Sequence, residues 1–309
     1  MLKKWNPSHI ILPNWICAAA AGILILYGAV STDIYIRQVL SMIGINYILA
    51  AGLNLLFGHT GQISIGQAGF YALGAYTASI LETKLSVPFF AAWPAAVILT
   101  GGIAFLLGQR ILKLHGHYLA MATIAFGMII ESLSTNWIAV TNGHAGVYVR
   151  SKSLLGDFLS SNLFALVVLF AALAFIISNN IEYSRVGRAI RAVRENEDAA
   201  TSVGMMYAHL NGIITPEVFN LAQSQTILII VVVGGIGSNI GVLLGAIVIT
   251  TLPEFLYGFA DYNILVYGLL VILMQLFCPR GLIGIAESLG RLLKKTAGRR
   301  TPPKAAGGK

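Results

Sequence analysis

The chain has 309 residues, 57% of them hydrophobic and only 10% charged, where an ordinary soluble domain carries about a quarter charged residues. That much apolar surface excludes a water-soluble fold, and repeated runs near the ~20 residues needed to cross a hydrocarbon core make the chain a polytopic membrane protein. The net charge of +8 does not point to nucleic acid, because eight of the twenty Lys and Arg follow the last apolar run, from Arg280 onward, as in a cytoplasmic tail.

Apolar runs predict spans near 12–30, 37–57, 64–81, 88–109, 117–138, 160–178, 222–236, 240–257 and 262–279, an all-α transmembrane bundle. Residues 1–35 form an N-terminal extension with the first helix, 36–290 the main membrane body, and 291–309 a basic tail without an apolar run. The first run follows Lys3 and Lys4 but lacks a small-residue cleavage site, so it reads as an uncleaved helix. Cys17 and Cys278 both lie inside apolar runs, where a thiol behaves as a small hydrophobe, and no disulfide or metal site is expected.

Short cytoplasmic loops hold the excess of Lys and Arg. Lys3 and Lys4 therefore put the N-terminus inside, and counting across spans also puts Arg110, Lys113 and the segment 179–204 inside. Only three apolar runs remain after residue 204, which would carry the basic tail outside. The stretch 199–221 cannot supply a crossing, since His209, Asn211, Pro216 and Glu217 interrupt it. Two readings stay open: a helix is absent near 204–206, or 222–257 is a re-entrant hairpin.

The run from Gly58 to Ser79, GHTGQISIGQAGFYALGAYTAS, is too rich in Gly, Ser and Gln for a lipid-facing helix. Ser64, Ala68, Ala72, Ala75 and Ser79 make a small-residue stripe that permits close helix approach. Gln62, Ser64 and Gln67 offer hydrogen-bonding groups to a passing polar solute or to freed backbone groups, and both roles stay open. Asn46 and Asn54, eight residues apart and so on one helical face, extend the same pathway candidates. Glu131 joins them, because an intramembrane carboxylate faces a bundle interior or a water-filled cavity, although Asn136 and Trp137 equally place it near the headgroups.

Residues 234–245, GGIGSNIGVLLG, space Gly237, Gly241 and Gly245 four apart. No Gly-Lys-Ser/Thr follows, so this is a turn into a small-residue packing helix rather than a phosphate loop. Gly66 and Gly74 are further packing candidates. The chain has no P-loop, so ATP-derived energy would come from a separate subunit. His115 and His117 lack further ligands and read as a solvated loop. No catalytic grouping is apparent.

Between Glu182 and Gly204, Arg185, Arg188, Arg191 and Arg194 recur every three residues opposite Val186, Ile190 and Val193, giving a basic amphipathic helix that lies on anionic headgroups or docks into a cytoplasmic partner. Glu197, Asp198, Ala199 and Ala200 follow, with Gly204 four residues on.

That last string resembles the EAA coupling loop of ABC importer permeases, with Asp198 in the Glu position. SRVGRAIRAVRENEDAATSVG, GHTGQISIGQAGFYALGAYTAS, HYLAMATIAFG and GGIGSNIGVLLGA together resemble, in order, segments of the LivM family of branched-chain amino acid permeases over most of residues 35–285. The resemblance implies an inner-membrane permease with both termini cytoplasmic that binds no cofactor itself. It implies a LivH-type second permease, two cytoplasmic subunits holding ATP and Mg, and a periplasmic or lipid-anchored binding protein. Arg188, Arg191, Arg194 and the 197–204 turn would then contact the ATPase. In that family a transmembrane helix follows the EAA loop, whereas Tyr207 to Gly212 here follow Gly204 almost directly, so about one helix, on the order of 20 residues, is expected to be missing. A urea or short-amide importer permease, an ATP-independent secondary transporter and a membrane-embedded enzyme are the competing classes. The last two need coupled intramembrane charges or catalytic groupings that the sequence does not display.

Overall fold

The computed structural model describes residues 33–62, 64–111, 114, 117–149, 163–183 and 210–255, with scattered positions between 268 and 284. The first predicted span, Cys17, Cys278, His115, the coupling segment from Ser184 to Gly204, the 204–206 junction and the basic tail lie outside the described residues.

Seven helices carry the described fold: α1 (Ile34–Thr60), α2 (Gln67–Thr83), α3 (Phe89–Ile111), α4 (His117–Asn136), α5 (Leu163–Tyr183), α6 (Leu221–Gly234) and α7 (Asn239–Phe255). α1, α3, α4 and α5 contain windows long and apolar enough to cross a membrane, while α6 and α7 are shorter apolar helices. Asp33 starts α1 by accepting a hydrogen bond from the Tyr35 N–H, and Gly61, at φ +68°, ends it by turning its own N–H back to the Phe57 carbonyl. Such a left-handed residue is the usual helix stop, and glycine adopts it without a Cβ clash.

α1 is the axis of the bundle. Its apolar window is 67% buried, against 28% for α3, 22% for α4 and 33% for α5. α5, α6 and α7 pack on α1, while α2 is held between α3 and α4. The large apolar side chains left exposed, among them Ile98, Phe105, Leu106 and Ile177, belong to helices whose outward faces need no water.

Contacts fix the direction of each helix. Leu56 near the end of α1 clusters with Ile111 and Leu119, so the end of α3 and the start of α4 share one end of the bundle, here called the Arg110 end. Lys84, after α2, donates to the Ala139 carbonyl beyond α4 and marks the opposite, Lys84 end. α7 runs antiparallel to α1: Tyr35 bonds Glu254 at the Lys84 end, and Asn54 bonds Gly237 toward the Arg110 end. α7 therefore extends alongside most of α1. α5 runs parallel to α1, with Val167 against Gly44 and Phe175 beside Tyr47. Tyr183 thus stands at the Arg110 end.

The chain reappears at Leu210 on the other side. Val147 and Tyr148 form a strand, β1, paired antiparallel with β2 (Ile213–Ile214), and the Val149 N–H donates to Gly212. This small sheet follows the helical turn Ile138–Thr141 at the Lys84 end. The residues flanking 184–209 therefore lie at opposite ends of the bundle. The sheet is an addition to the all-α expectation, and its two-residue strands are too short to leave an alternating pattern in sequence.

The glycine repeat is a close-packed crossing. A methyl on Gly241 would fall inside van der Waals contact of the Gly234 carbonyl oxygen, one on Gly234 would meet the Gly241 carbonyl oxygen, and one on Gly245 would meet the Ile230 carbonyl oxygen. Gly237 belongs to the turn instead, at φ +80°, where its backbone closes over Gly58. α6 and α7 owe their spacing to these missing side chains. Gly241→Ala is expected to destabilise the bundle by about 1–3 kcal/mol through overpacking, read as a lower melting temperature in detergent. Gly102→Ala, where an added Cβ meets nothing within 4 Å, is expected to leave it unchanged.

Candidate functional site

The predicted span 64–81 begins later than its apolar pattern suggests. α2 starts at Gln67, behind a non-helical approach that includes Gly61, Gln62 and residues 64–66. Ser64 is therefore not on the helical stripe, although it is buried with Ala68, Ala72, Ala75 and Ser79. Gly66 precedes the helix without a side-chain cap, and its Cα lies so near α4 that a Cβ would stand 2.8 Å from the Thr123 carbonyl oxygen. Gly74 is buried on α2.

Backbone donors freed by this interruption are met by hydroxyls from other helices. The Ile65 N–H donates to Thr123 Oγ1 at 3.1 Å, and that hydroxyl donates onward to the Ala120 carbonyl at 3.0 Å. The Ala68 N–H donates to Ser224 Oγ at 3.0 Å, a fully buried bond to the first turn of α6. α6 has its own interrupted approach, a 3₁₀ turn from Pro216 to Phe219, and its Asn220 side chain caps it by accepting from the Gln223 N–H. Phe219 packs edge-on against Tyr71 at 4.9 Å, so the approach to α6 reaches into the bundle beside α2. Two helix starts thus meet inside the bundle.

Three oxygens there are left over. Gln62 Oε1, Ser64 Oγ and Gln67 Oε1 are buried and meet no hydrogen-bond partner among the described residues. Leaving such a group unpaired in an apolar interior costs about 1–3 kcal/mol. Ser64 and Thr123 border a cavity of about 10 Å³ between α2, α3 and α4, otherwise walled by Phe70, Leu107, Leu119 and Phe126, room for about one water molecule.

Asn46 and Asn54 serve the other side of α1. Asn46 donates to Thr250 Oγ1 on α7 at 3.0 Å and accepts from Gln223 Nε2 on α6 at 3.4 Å, tying three helices together. Asn54, 1% exposed, accepts from the Gly237 N–H at 2.8 Å and satisfies the α6–α7 turn. These two residues share a face as the eight-residue spacing predicts, but in this arrangement they join helices rather than border the cavity at Ser64. Glu131 sits apart, partly exposed on α4. Thr123, Gln223, Ser224 and Thr250 were not singled out by sequence reasoning; the signal for them is a hydroxyl or amide inside an apolar helix, which more often bonds its own preceding turn. Arg188, Arg191, Arg194, Glu197, Asp198, Ala199, Ala200 and Gly204 lie outside the described residues.

Residues 35–207 match the family model described as the permease component of the branched-chain amino acid transport system. The chain belongs to this permease family. It is similar to the high-affinity branched-chain amino acid transport system permease protein LivM of Escherichia coli, 32% identical and covering 76% of this chain and 67% of that protein. It is also similar to the corresponding protein BraD of Pseudomonas aeruginosa, at 25% identity over 82% of this chain and 97% of BraD. LivH of Salmonella typhimurium matches at 23% identity over 78% of this chain and 91% of LivH. No solved structure matches. The LivM alignment runs over 284 positions, yet 76% of 309 residues is about 235, so about 49 aligned positions face no residue of this permease. BraD, with 304 positions and 82% coverage, leaves about 51.

The geometry makes Asn54 a structural residue of the permease. Asn54→Leu is expected to strand the Gly237 N–H and cost about 1–3 kcal/mol, lowering the detergent melting temperature by several degrees, while a surface change such as Gln109→Ala leaves it unmoved.

Proposed function

We propose that this permease is one membrane half of an ABC importer for branched-chain amino acids, driven by ATP hydrolysed with Mg on two separate cytoplasmic subunits. The observation that carries the reading is the family match over residues 35–207, which includes the interrupted approach to α2. The second half is a LivH-type permease, and a periplasmic or lipid-anchored protein delivers the amino acid. In this reading the Arg110 end faces the cytoplasm, as its basic residues favour, and the termini lie on that side. The amphipathic segment with Arg188, Arg191 and Arg194 and the turn from Glu197 to Gly204 docks on the ATPase. ATP then shifts access because the two arrangements of the ATPase pair hold that segment differently.

Along the pathway, Gln62, Ser64 and Gln67 supply oxygen acceptors for an ammonium group or its accompanying water, and Phe70, Leu107, Leu119 and Phe126 present the apolar surface that a branched aliphatic side chain prefers. The cavity there holds about one water, which fits a closed arrangement. Gln62→Leu is expected to reduce leucine uptake at least several-fold in proteoliposomes carrying the whole importer, at unchanged expression. Uptake at the wild-type rate would remove Gln62 from the pathway.

The same reading takes this permease as a shortened member of its family. Support comes from the relatives' surplus of about fifty positions and from Tyr183 and Leu210 standing at opposite ends. If residues 182–204 stay at the cytoplasmic face, the five residues 205–209 reach at most about 18 Å fully extended, short of the ~30 Å hydrocarbon core. Single cysteines at Ala199, Asn211 and Lys304, with Cys17 and Cys278 replaced, test this in intact cells. Asn211→Cys, at the outer Lys84 end, is expected to be labelled by an impermeant thiol reagent in intact cells, which makes Ala199→Cys the deciding position. Ala199→Cys labelled only in inside-out vesicles would require a helical crossing that the residues between 199 and 211 are too few to form, and would mean that the expressed chain is longer; Ala199→Cys shielded on both sides or labelled from outside fits a shortened connection that itself crosses.

A further inference from the structure

The outward surface of the bundle is of two chemical kinds. α3 presents Ile98, Phe105 and Leu106, 75%, 57% and 68% exposed, and α5 presents Leu169, Leu173 and Ile177. These faces are bulky and apolar, and acyl chains satisfy them fully. α4 and the first turns of α6 also expose bulky side chains, Tyr118, Ile129, Leu133 and Leu221, but their flank differs in the polar groups it adds. Met121, Met128 and Ser132 are exposed on α4, Gln225 is exposed on α6, and Glu131 is partly exposed between them. Gly127 opens the same flank, since a Cβ there would touch nothing within 4 Å.

A small cleft of about 10 Å³, room for about one water molecule, lies in this flank. Ile124, Gly127 and Met128 of α4 form one wall, Asn220, Leu221 and Ser224 of α6 the other, and Ile65 and Ala68 before and at the start of α2 the floor. The two helix starts joined by the Ala68–Ser224 bond therefore border it, and helix starts carry partial positive charge. Glu131, one turn beyond Gly127, forms no ion pair among the described residues. Hydrocarbon offers no hydrogen bond to its carboxylate or to the Gln225 amide, so lipid is a poor neighbour for this flank. Small residues and Met are what a close helix–helix contact uses.

We propose that the α4–α6 flank is the face that meets the second permease half, and that the outward faces of α3 and α5 meet lipid. The inference rests on the importer reading above. It commits to a separate chain of the same fold because both LivM-type and LivH-type relatives match this sequence. Two chains of one fold paired about a pseudo-two-fold axis present equivalent flanks to each other, so a cleft with polar groups on one side faces its counterpart on the other.

The photoreactive residue p-benzoylphenylalanine, placed singly by Met128→Bpa, Leu106→Bpa or Leu173→Bpa in the full chain co-expressed with the complete importer, tests the assignment in membranes. Expected is an adduct with the second permease from position 128, at least five-fold above the other two, identified by mass spectrometry. A second-permease adduct from 106 or 173 and not from 128 would leave the importer reading intact and overturn the assignment of the face. An adduct of 128 with another copy of this chain would overturn the occupant. Absence of any second-permease adduct from all three positions would overturn both the face and the pairing.

Discussion

A hydrocarbon core offers no water, so each backbone donor must be paired inside the protein, and among the described residues this bundle meets that demand at places where its helices are interrupted. Ile65 and Ala68 turn their N–H groups to Thr123 and Ser224, and the α6–α7 turn sends the Gly237 N–H to Asn54. Each repair comes from a different helix. The interruptions are thus also the joints, and moving a helix away exposes a backbone group as well as a side chain.

α1 gains its central position from the same logic. It is the most buried of the four long apolar helices, yet carries two asparagines, both spent on neighbours rather than left to the interior. Buried amides of this kind are tolerated when satisfied, and they fix one helix register against another. Asn46 does this for α6 and α7 at once. The apolar cluster around Leu49, Leu53 and Ile227 then packs without ambiguity.

The seven described helices were legible as apolar runs, because lipid imposes length and composition together. The start of α2 was not, since Ser64 and Ile65 fit a helical pattern and only tertiary hydrogen bonds hold them out of it. The face shared by Asn46 and Asn54 followed from spacing, as did the packing role of Gly241 and Gly245, but which helices they join depends on the whole bundle. Thr123 and Ser224 illustrate the remaining loss: a hydroxyl in an apolar run bonds its own helix or a neighbour, and the string of letters is the same in both cases. The tiny β1–β2 sheet pairs Val147 with Ile214 and Tyr148 with Ile213, partners far apart in sequence and with no local signature.

The glycine contact between α6 and α7 has a mechanical side. Where backbone rests directly on backbone, as at Gly234 and Gly241, there are no side-chain rotamers to absorb a small slide, so the pair shifts as a slab or not at all. Asn46 adds α1 to that slab. On the other side, α2 touches the slab's α6 through a buried single hydrogen bond at Ser224 and a modest packing patch, and one hydroxyl-mediated bond is far cheaper to exchange than a glycine seam. Of the two seams, the glycine one is the costlier to displace, and the contact where Ala68 meets Ser224 the cheaper.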